Sequence, residues 1–397
     1  MKKLIYIAFL YSSIIYGQSI NKTMLRLPDT GQTNSYTNTF GEDNDYNINP
    51  PFFKLNGNGT VTDTITGLMW QQTDGGEMTY ENAINYCDTL TLAGFNDWRL
   101  PTAHEGFSIL NHQTTNPALD TKVFTKNTAE YWWSINKQSN DNTKVWCTNA
   151  GGGIGNHPKS ETISAGGTKK FHSRAVRDIN LPSTVKSHFT DNGNGTITDN
   201  LTNLIWQKIT YSDSLTWEQA LAFSDSLTYS GFNDWRLPNI KELQSLNDES
   251  IINPSIDKTI FTNIGIKKYW SSTTLPNQTA KAWYLHTQFG ITTYDNKTAR
   301  NMIICVRGDG KEYVSNVEYN IDNDELSVFP NPSNRIVNII SKKQIEEVKI
   351  IDILGQTITF EKPNLNNYNF SIEKNGIYFI IIKIDNIIKI KTISVLN

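Results

Sequence analysis

Histidine, cysteine and grouped carboxylates are the side chains best suited to acid–base, nucleophilic or metal chemistry, and the 397-residue chain uses the first two sparingly, with six His and three Cys. The repeat described below does not duplicate any of His104, His112, His157, His172, His188 or His286: His104 falls opposite Lys241, and His286 opposite Asn149. No Ser, His and Asp grouping and no HExxH run is legible, so triad hydrolysis and zinc-protease chemistry find no anchor. Cys87, Cys147 and Cys305 are odd in number, form no CxxC pair and are too few for a disulfide-stapled scaffold. They read either as small buried core residues or as one oxidised pair plus a free thiol. No catalytic residue, no metal ligand and no cofactor is expected.

Binding chemistry is better represented. Trp146, Asn149, His157, Lys159, Lys169 and Lys170 lie in one glycine-rich stretch, and Trp283, His286, Tyr294 and Arg300 lie in another. Flat aromatic rings beside cationic groups suit an acidic or sulfated sugar, held by stacking and charge-assisted hydrogen bonds. The same residues have a structural use, since tryptophans fill cores and lysines are solvated. Two other motifs read as structural. In Asp97-Trp98-Arg99 and Asp234-Trp235-Arg236 the Trp plugs a core while the charges satisfy neighbouring backbone or each other. In Asp191-Asn192-Gly193-Asn194-Gly195 glycines stand where a calcium loop needs oxygen ligands, so a turn is favoured over a metal site.

The elements that must position these residues are written twice. GFNDWRLP occurs at 94–101 and again at 231–238, 137 residues on. GNGTVTDTITGLMWQ from Gly57 corresponds to GNGTITDNLTNLIWQ from Gly193, and the copies close on Val176-Arg177 and Val306-Arg307. Each copy begins with an Asn-Gly-Asn-Gly turn feeding a strand of alternating Thr and Val or Ile. A first helix follows, capped by Thr79 or by Thr216 with Gln219. The second helix opens after the Pro with capping-box spacing, Thr102 with Glu105 and Asn239 with Glu242. Short strands around Trp133, Trp146 and Arg177 complete an α+β unit with long loops.

Composition limits what such a chain does. With 36 Lys+Arg against 39 Asp+Glu, a net charge of -3, it lacks the positive field that phosphate-backbone binders use, so nucleic-acid binding is disfavoured. Ten Trp, seventeen Tyr and seventeen Phe supply apolar surface for several small cores. Lys2 and Lys3, the apolar stretch from Leu4 to Tyr16 and the small residues after it read as a signal peptide over 1–17, too short to favour a membrane anchor. Residues 18–50, rich in Thr, Asn, Gly and Asp, read as a flexible leader. No transmembrane segment is expected in the mature chain, because Lys383, Asp385, Lys389 and Lys391 interrupt the apolar C-terminal run.

The sequence of turn, strand, helix, NDWRLP, second helix, tryptophan strand, long loop and Val-Arg strand resembles the Lcl C-terminal domain family over both copies, 51–180 and 186–310. The resemblance implies a C-type-lectin-like fold in secreted or surface proteins, with adhesion to sulfated glycans as described for the namesake group. The namesake's collagen-like stalk is absent. Such families often pair a first-helix cysteine with one in the last strand; here Cys87 would face Ala175 and Ser224 would face Cys305, so each copy lacks half of the implied bridge. After a linker at 311–325, residues 326–397 carry a Pro330-to-Ser333 turn, an Asp352-to-Gln356 turn and the strand Asn375-Gly376-Ile377-Tyr378-Phe379. Their Ile/Val runs read as a small all-β sandwich. This tail is similar to the type A C-terminal sorting domain of the type IX secretion system, which implies that secretion machinery as partner and an extracellular or outer-surface destination. The expectation is a non-enzymatic, adhesin-like binding protein for a glycan or other host or environmental surface ligand. A protein-interaction or structural role for the same loops is the alternative, and an enzyme on a lectin-like fold stands third.

Overall fold

The computed structural model describes residues 19–125, 129–160, 171–310, 326–329, 333, 335–353, 356–385 and 387–395. The stretches expected to be a signal peptide (1–17) and a linker (311–325), and Lys169 and Lys170, lie outside them. The chain divides into one unit over Met1–Glu312 and a second over Tyr313–Asn397.

In the first unit a short strand β1 (Ile20–Lys22) precedes a first repeat. That repeat comprises β2 (Phe53–Leu55), β3 (Thr60–Asp63), β4 (Leu68–Gln71), α1 (Tyr80–Thr89), α2 (Ala103–Ser108), β5 (Tyr131–Gln138), β6 (Asp141–Asn149), β7 (Ile154–Pro158), β8 (Phe171–His172) and β9 (Val176–Asp178). A connecting strand β10 (Ser183–Val185) pairs back onto β1. The second repeat follows with β11 (Phe189–Asp191), β12 (Thr196–Asp199), β13 (Ile205–Gln207), α3 (Trp217–Ser226), α4 (Ile240–Ser245), β14 (Lys268–Thr274), β15 (Lys281–His286), β16 (Ile291–Asn296) and β17 (Val306–Arg307). Among the described residues strand far outweighs helix. The expected α+β balance gives way to a mainly β chain because the helices that the capping signals mark are only six to ten residues long.

The repeated signatures build the same local structure twice. In the opening turns Gly57 and Gly59, and Gly193 and Gly195, all have positive φ, which a glycine adopts without a Cβ clash. Asn56 and Asn192 then tie the turn to the following strand through Thr60 and Thr196, each at 2.9 Å. Both second helices carry the anticipated reciprocal cap. Thr102 N donates to Glu105 at 2.8 Å and Glu105 N to Thr102 Oγ1 at 3.2 Å; Asn239 and Glu242 repeat this at 3.0 and 2.9 Å. The terminal Val-Arg strands pair antiparallel with the Gly-Leu-Met-Trp strand, Trp70 opposite Val176, and with its counterpart, Trp206 opposite Val306.

The repeats are not separate beads on a linker. Strands from both form one seven-stranded sheet in the order β14-β15-β16-β7-β6-β5-β8, joined where Thr292 pairs with Ile154. One core runs across the join: Ile240, Leu275 and Trp283 of the second repeat bury against Phe107, Trp146 and Ile154 of the first. The segment expected as a flexible leader is packed against both. Gln32 donates to the carbonyls of His112 and Thr274 at 3.2 and 2.9 Å, and buried Asp43 accepts from Thr30 and Thr273 at 2.9 and 2.5 Å. Its polar residues, which carry no apolar periodicity, are ordered by hydrogen bonds rather than by a hydrophobic face, and a periodicity reading has no means of finding that.

The second unit is a two-sheet all-β body. One sheet has the order β18 (Leu326–Phe329), β19 (Ile336–Ile345), β22 (Leu365–Ser371); the other runs β21 (Thr357–Glu361), β20 (Glu347–Asp352), β23 (Gly376–Ile384), β24 (Ile387–Val395). Alternate residues Tyr378, Ile380, Ile382 and Ile384 of β23 point into a core shared with Val337 and Ile339 of β19. The period-2 alternation that marks a half-buried strand is therefore realised along β23.

Candidate functional site

The duplicated Asp-Trp-Arg motif is structural in both repeats. Trp98 and Trp235 are buried. Arg236 makes a two-pronged ion pair with Glu242 at 2.5 and 2.7 Å, and Arg99 does the same with Glu105 at 2.7 and 2.8 Å. Asp97 and Asp234 accept from the Arg of the closing Val-Arg pair, Arg177 and Arg307, each at 2.7 Å. The motif's charges thus reach across the fold instead of satisfying each other. Asp191 is held by Lys208 at 2.6 Å, and the Asn-Gly run is a turn. Asp63 and Asp199, and Asp120 and Asp257, each accept backbone N–H groups within their own turns.

All three cysteines are buried, and none is in a disulfide among the described residues. Cys87 lies 3.2 Å from the hydroxyl of Ser173, and Cys305 3.2 Å from that of Ser224. Burial pushes their thiols up, to about 11 and about 12, which is the opposite of what a nucleophile needs.

The structure distributes the candidate ligand residues over four places. Trp146 is core, 1 % exposed. His157 packs edge-on to Tyr131 and Phe171, and Lys159 lies over the Tyr80 ring at 5.6 Å. His286 and Arg300 line one groove, and Asn149, Trp283 and Tyr294 line another. This last groove, of about 650 Å³, lies at the join between the repeats and is within the size range of small-molecule sites.

The first repeat contributes one wall of the junction groove from the start of β5 and the end of β6, with Glu130, Tyr131 and Asn149; Asn116 and Pro117 complete that side. The second repeat contributes Trp283 from β15 and Thr292, Thr293 and Tyr294 from β16. Asn149 shapes the wall, its Oδ1 accepting from Gly151 and Gly153 at 2.9 and 3.1 Å. Trp283, only 3 % exposed, stacks edge-on to Tyr294, whose own ring is 39 % exposed; their centroids are 5.6 Å apart. Lys281 lies 5.0 Å from the other ring, Tyr294, while the lining itself contains one carboxylate, Glu130, and no Lys or Arg.

The other groove, of about 520 Å³, includes the equivalent strand ends of the second repeat and carries Lys267, Lys268 and Arg300 beside Asp213. Lys267, Lys268 and His286 stand at the positions of Glu130, Tyr131 and Asn149. Lys268 pairs with Asp295 at 2.8 Å, and burial together with Lys268 lowers His286. Arg300 donates to the Ser214 carbonyl and faces Asp213 at 3.8 Å. The sequence points to one aromatic and cationic loop in each repeat; folding brings Asn149, Trp283 and Tyr294 to the junction and His286 and Arg300 to the outer groove, and leaves Trp146, His157 and Lys159 elsewhere. Glu130, Tyr131 and Thr293 were missed, and the signal that identifies them is their position beside the repeat-equivalent strands, which only the shared sheet reveals.

Comparison with known families places this geometry. The profile of the Lcl C-terminal domain matches residues 59–177 and again 195–307, and that of the secretion system C-terminal sorting domain matches 327–396. The chain belongs to the Lcl C-terminal domain family, and its sorting domain marks it for type IX secretion to the cell surface or extracellular space, engaging that secretion machinery. A search of curated proteins found no match. Among solved structures there is similarity to PorZ, described as an essential bacterial surface component of the type-IX secretion system of Porphyromonas gingivalis, at 12% identity and a TM-score of 0.17. The alignment covers 67% of this chain and 30% of that one, so this chain spans under a third of that protein. No helix among the described residues is long and apolar enough to cross a membrane.

Proposed function

We propose that this secreted surface protein is a non-enzymatic, adhesin-like binding protein whose paired repeats, of C-type-lectin-like type, recognise a glycan in the groove between them. The observation that carries this reading is the exposed Tyr294 ring, backed by buried Trp283, in a groove rimmed with Asn116, Asn149, Glu130 and Thr293. A sugar offers an apolar ring face and a periphery of hydroxyls, and an aromatic floor with a polar rim matches both. With no cation in its lining, the groove favours a neutral or amino sugar over the sulfated one expected from sequence. The cationic groove at Lys267, Lys268 and Arg300 supports a second reading, an acidic ligand bound at the equivalent place in the second repeat.

A glycan array probed with the full secreted chain at two salt concentrations tests both. Binding that is insensitive to salt and lost in Tyr294→Ala supports the junction groove. Salt-sensitive binding lost in Lys267→Ala supports the outer groove, and a blank array with folded protein shifts the account to a protein partner.

A further inference from the structure

The two outer faces of the sorting domain differ sharply in chemistry. On the smaller sheet, Asn338 pairs with Asn369, Ile340 with Asn367 and Ile336 with Ser371, so its two exposed isoleucines are separated by polar residues. On the larger sheet, the residues alternating with the core positions include a run of apolar side chains, with Glu347, Lys349, Lys383 and Thr392 among them. Ile351 lies opposite Phe379, Lys349 is flanked by Phe360 and Ile381, and Lys383 lies opposite Ile388. Phe360 is 53 % exposed, Ile388 64 % and Phe379 36 %, with Ile377 beside them at 49 %. The opposite side of the same strands is closed by the other sheet, so these side chains have no role in the domain's own core. Contiguous apolar surface of this kind marks an interaction site.

We infer that the outer face of the sheet β21-β20-β23-β24 is the surface by which the tail docks on the secretion machinery, against a complementary apolar protein surface. The occupant follows from the family match: a sorting domain is recognised by the export apparatus, and of its two faces this one carries more exposed apolar side chains, the aromatic Phe360 and Phe379 among them, with Lys349 and the Glu347–Lys383 cross-strand pair between them. A polar face would give a water-competed contact, whereas interface cores are depleted of charge and enriched in aromatic residues such as Phe360 and Phe379. The inference rests on the sorting assignment and is independent of what the repeats bind.

The test expresses the full chain in a type IX-competent bacterium and compares Phe379→Lys, on the more apolar face, with Ile340→Lys, on an exposed isoleucine of the other face. Phe379→Lys is expected to lower the surface and medium fraction by about tenfold, with full-length chain retained in the periplasm, while Ile340→Lys is exported as the parent is. The retained Phe379→Lys protein, purified, keeps the parental melting temperature, which separates lost docking from lost folding. Normal export of Phe379→Lys would overturn the inference, as would equal export loss in both variants. Normal export together with loss of a concentration-dependent dimer would instead assign the face to a second copy of the chain and overturn it too.

Discussion

Trp283, from the second repeat, meets His112 of the first edge-on, with ring centroids 5.6 Å apart at 88°, directly beneath the groove. His112 is fixed by a 2.9 Å contact from its Nε2 to the Gly152 carbonyl, and burial, reinforced by Lys241, drives its pKa down to about 3, so it packs as a neutral ring. The junction is therefore a dry aromatic contact below and a wet groove above, and the two can be separated by mutation.

Trp283→Ala removes that contact and leaves a large void, expected to cost about 3–5 kcal/mol of stability and to abolish groove binding with it. Tyr294→Ala removes an exposed ring, so the melting temperature should stay within about 2 °C of the parent, since surface changes usually stay within about 0.5 kcal/mol. Thermal melts of the two variants side by side read this difference.

A second contrast concerns the repeated Arg–Glu pairs. Arg236 and Glu242 are both almost wholly buried, whereas Arg99 is partly solvent-exposed beside Glu105. Arg236→Met strands a buried carboxylate and should cost about 3–5 kcal/mol, and Arg99→Met should cost less because water reaches that site. Urea unfolding of each variant gives the order.

The contact between repeats includes an ion pair, His104 to Glu249 at 2.8 Å, with the imidazole also facing the Asn247 carbonyl. Burial works against the imidazolium, but Glu249 and that carbonyl outweigh it and raise His104 to about 8. Lys241, pushed down to about 8 by burial, and the buried Asp29 and Asp43 stand nearby as further titrating groups of the junction. A raised folded-state value means the stabilisation is complete below the unfolded value of about 6.5 and fades as pH rises through about 8. His104→Gln should thus lower stability by about 1 kcal/mol at pH 6 and make little difference at pH 9. Melting both proteins across this range isolates the His104 share from that of the other groups, which both retain.

Ser224 and Cys305 place a hydroxyl and a thiol 3.2 Å apart, one in the first helix of the second repeat and one beside its last strand. Ser224→Cys should form a disulfide in an oxidising compartment, closing a loop of about 80 residues and adding up to about 4 kcal/mol in the chain-entropy picture. Two titratable thiols after denaturation without reductant, against the parent's three, with a higher melting temperature, is the expected result; four titratable thiols would refute it.

Local signals in this sequence translate well into local structure, because caps and turns are decided by neighbours. Thr102 with Glu105, Asn239 with Glu242 and the Asn-Gly runs all behave as their spacing dictates. What fails is inference about distance. Nothing in the sequence around Ile154 or Thr292 says that they pair across repeats, so the groove that this pairing creates was not legible. The leader's Asp43 and Gln32 are polar residues whose partners, Thr273 and Thr274, lie more than 200 residues away. Trp146 and Trp283 occupy matching places in the two copies and share the core that crosses the join, yet only Trp283 lines the groove.

The central claim is that a sugar binds between the repeats. Isothermal titration of the best array glycan into the full secreted chain, into Tyr294→Ala and into Arg300→Ala tests it most directly. The account predicts that Tyr294→Ala weakens binding by about tenfold or more while Arg300→Ala binds as the parent does. Unchanged affinity in Tyr294→Ala, with the loss falling on Arg300→Ala, would contradict it.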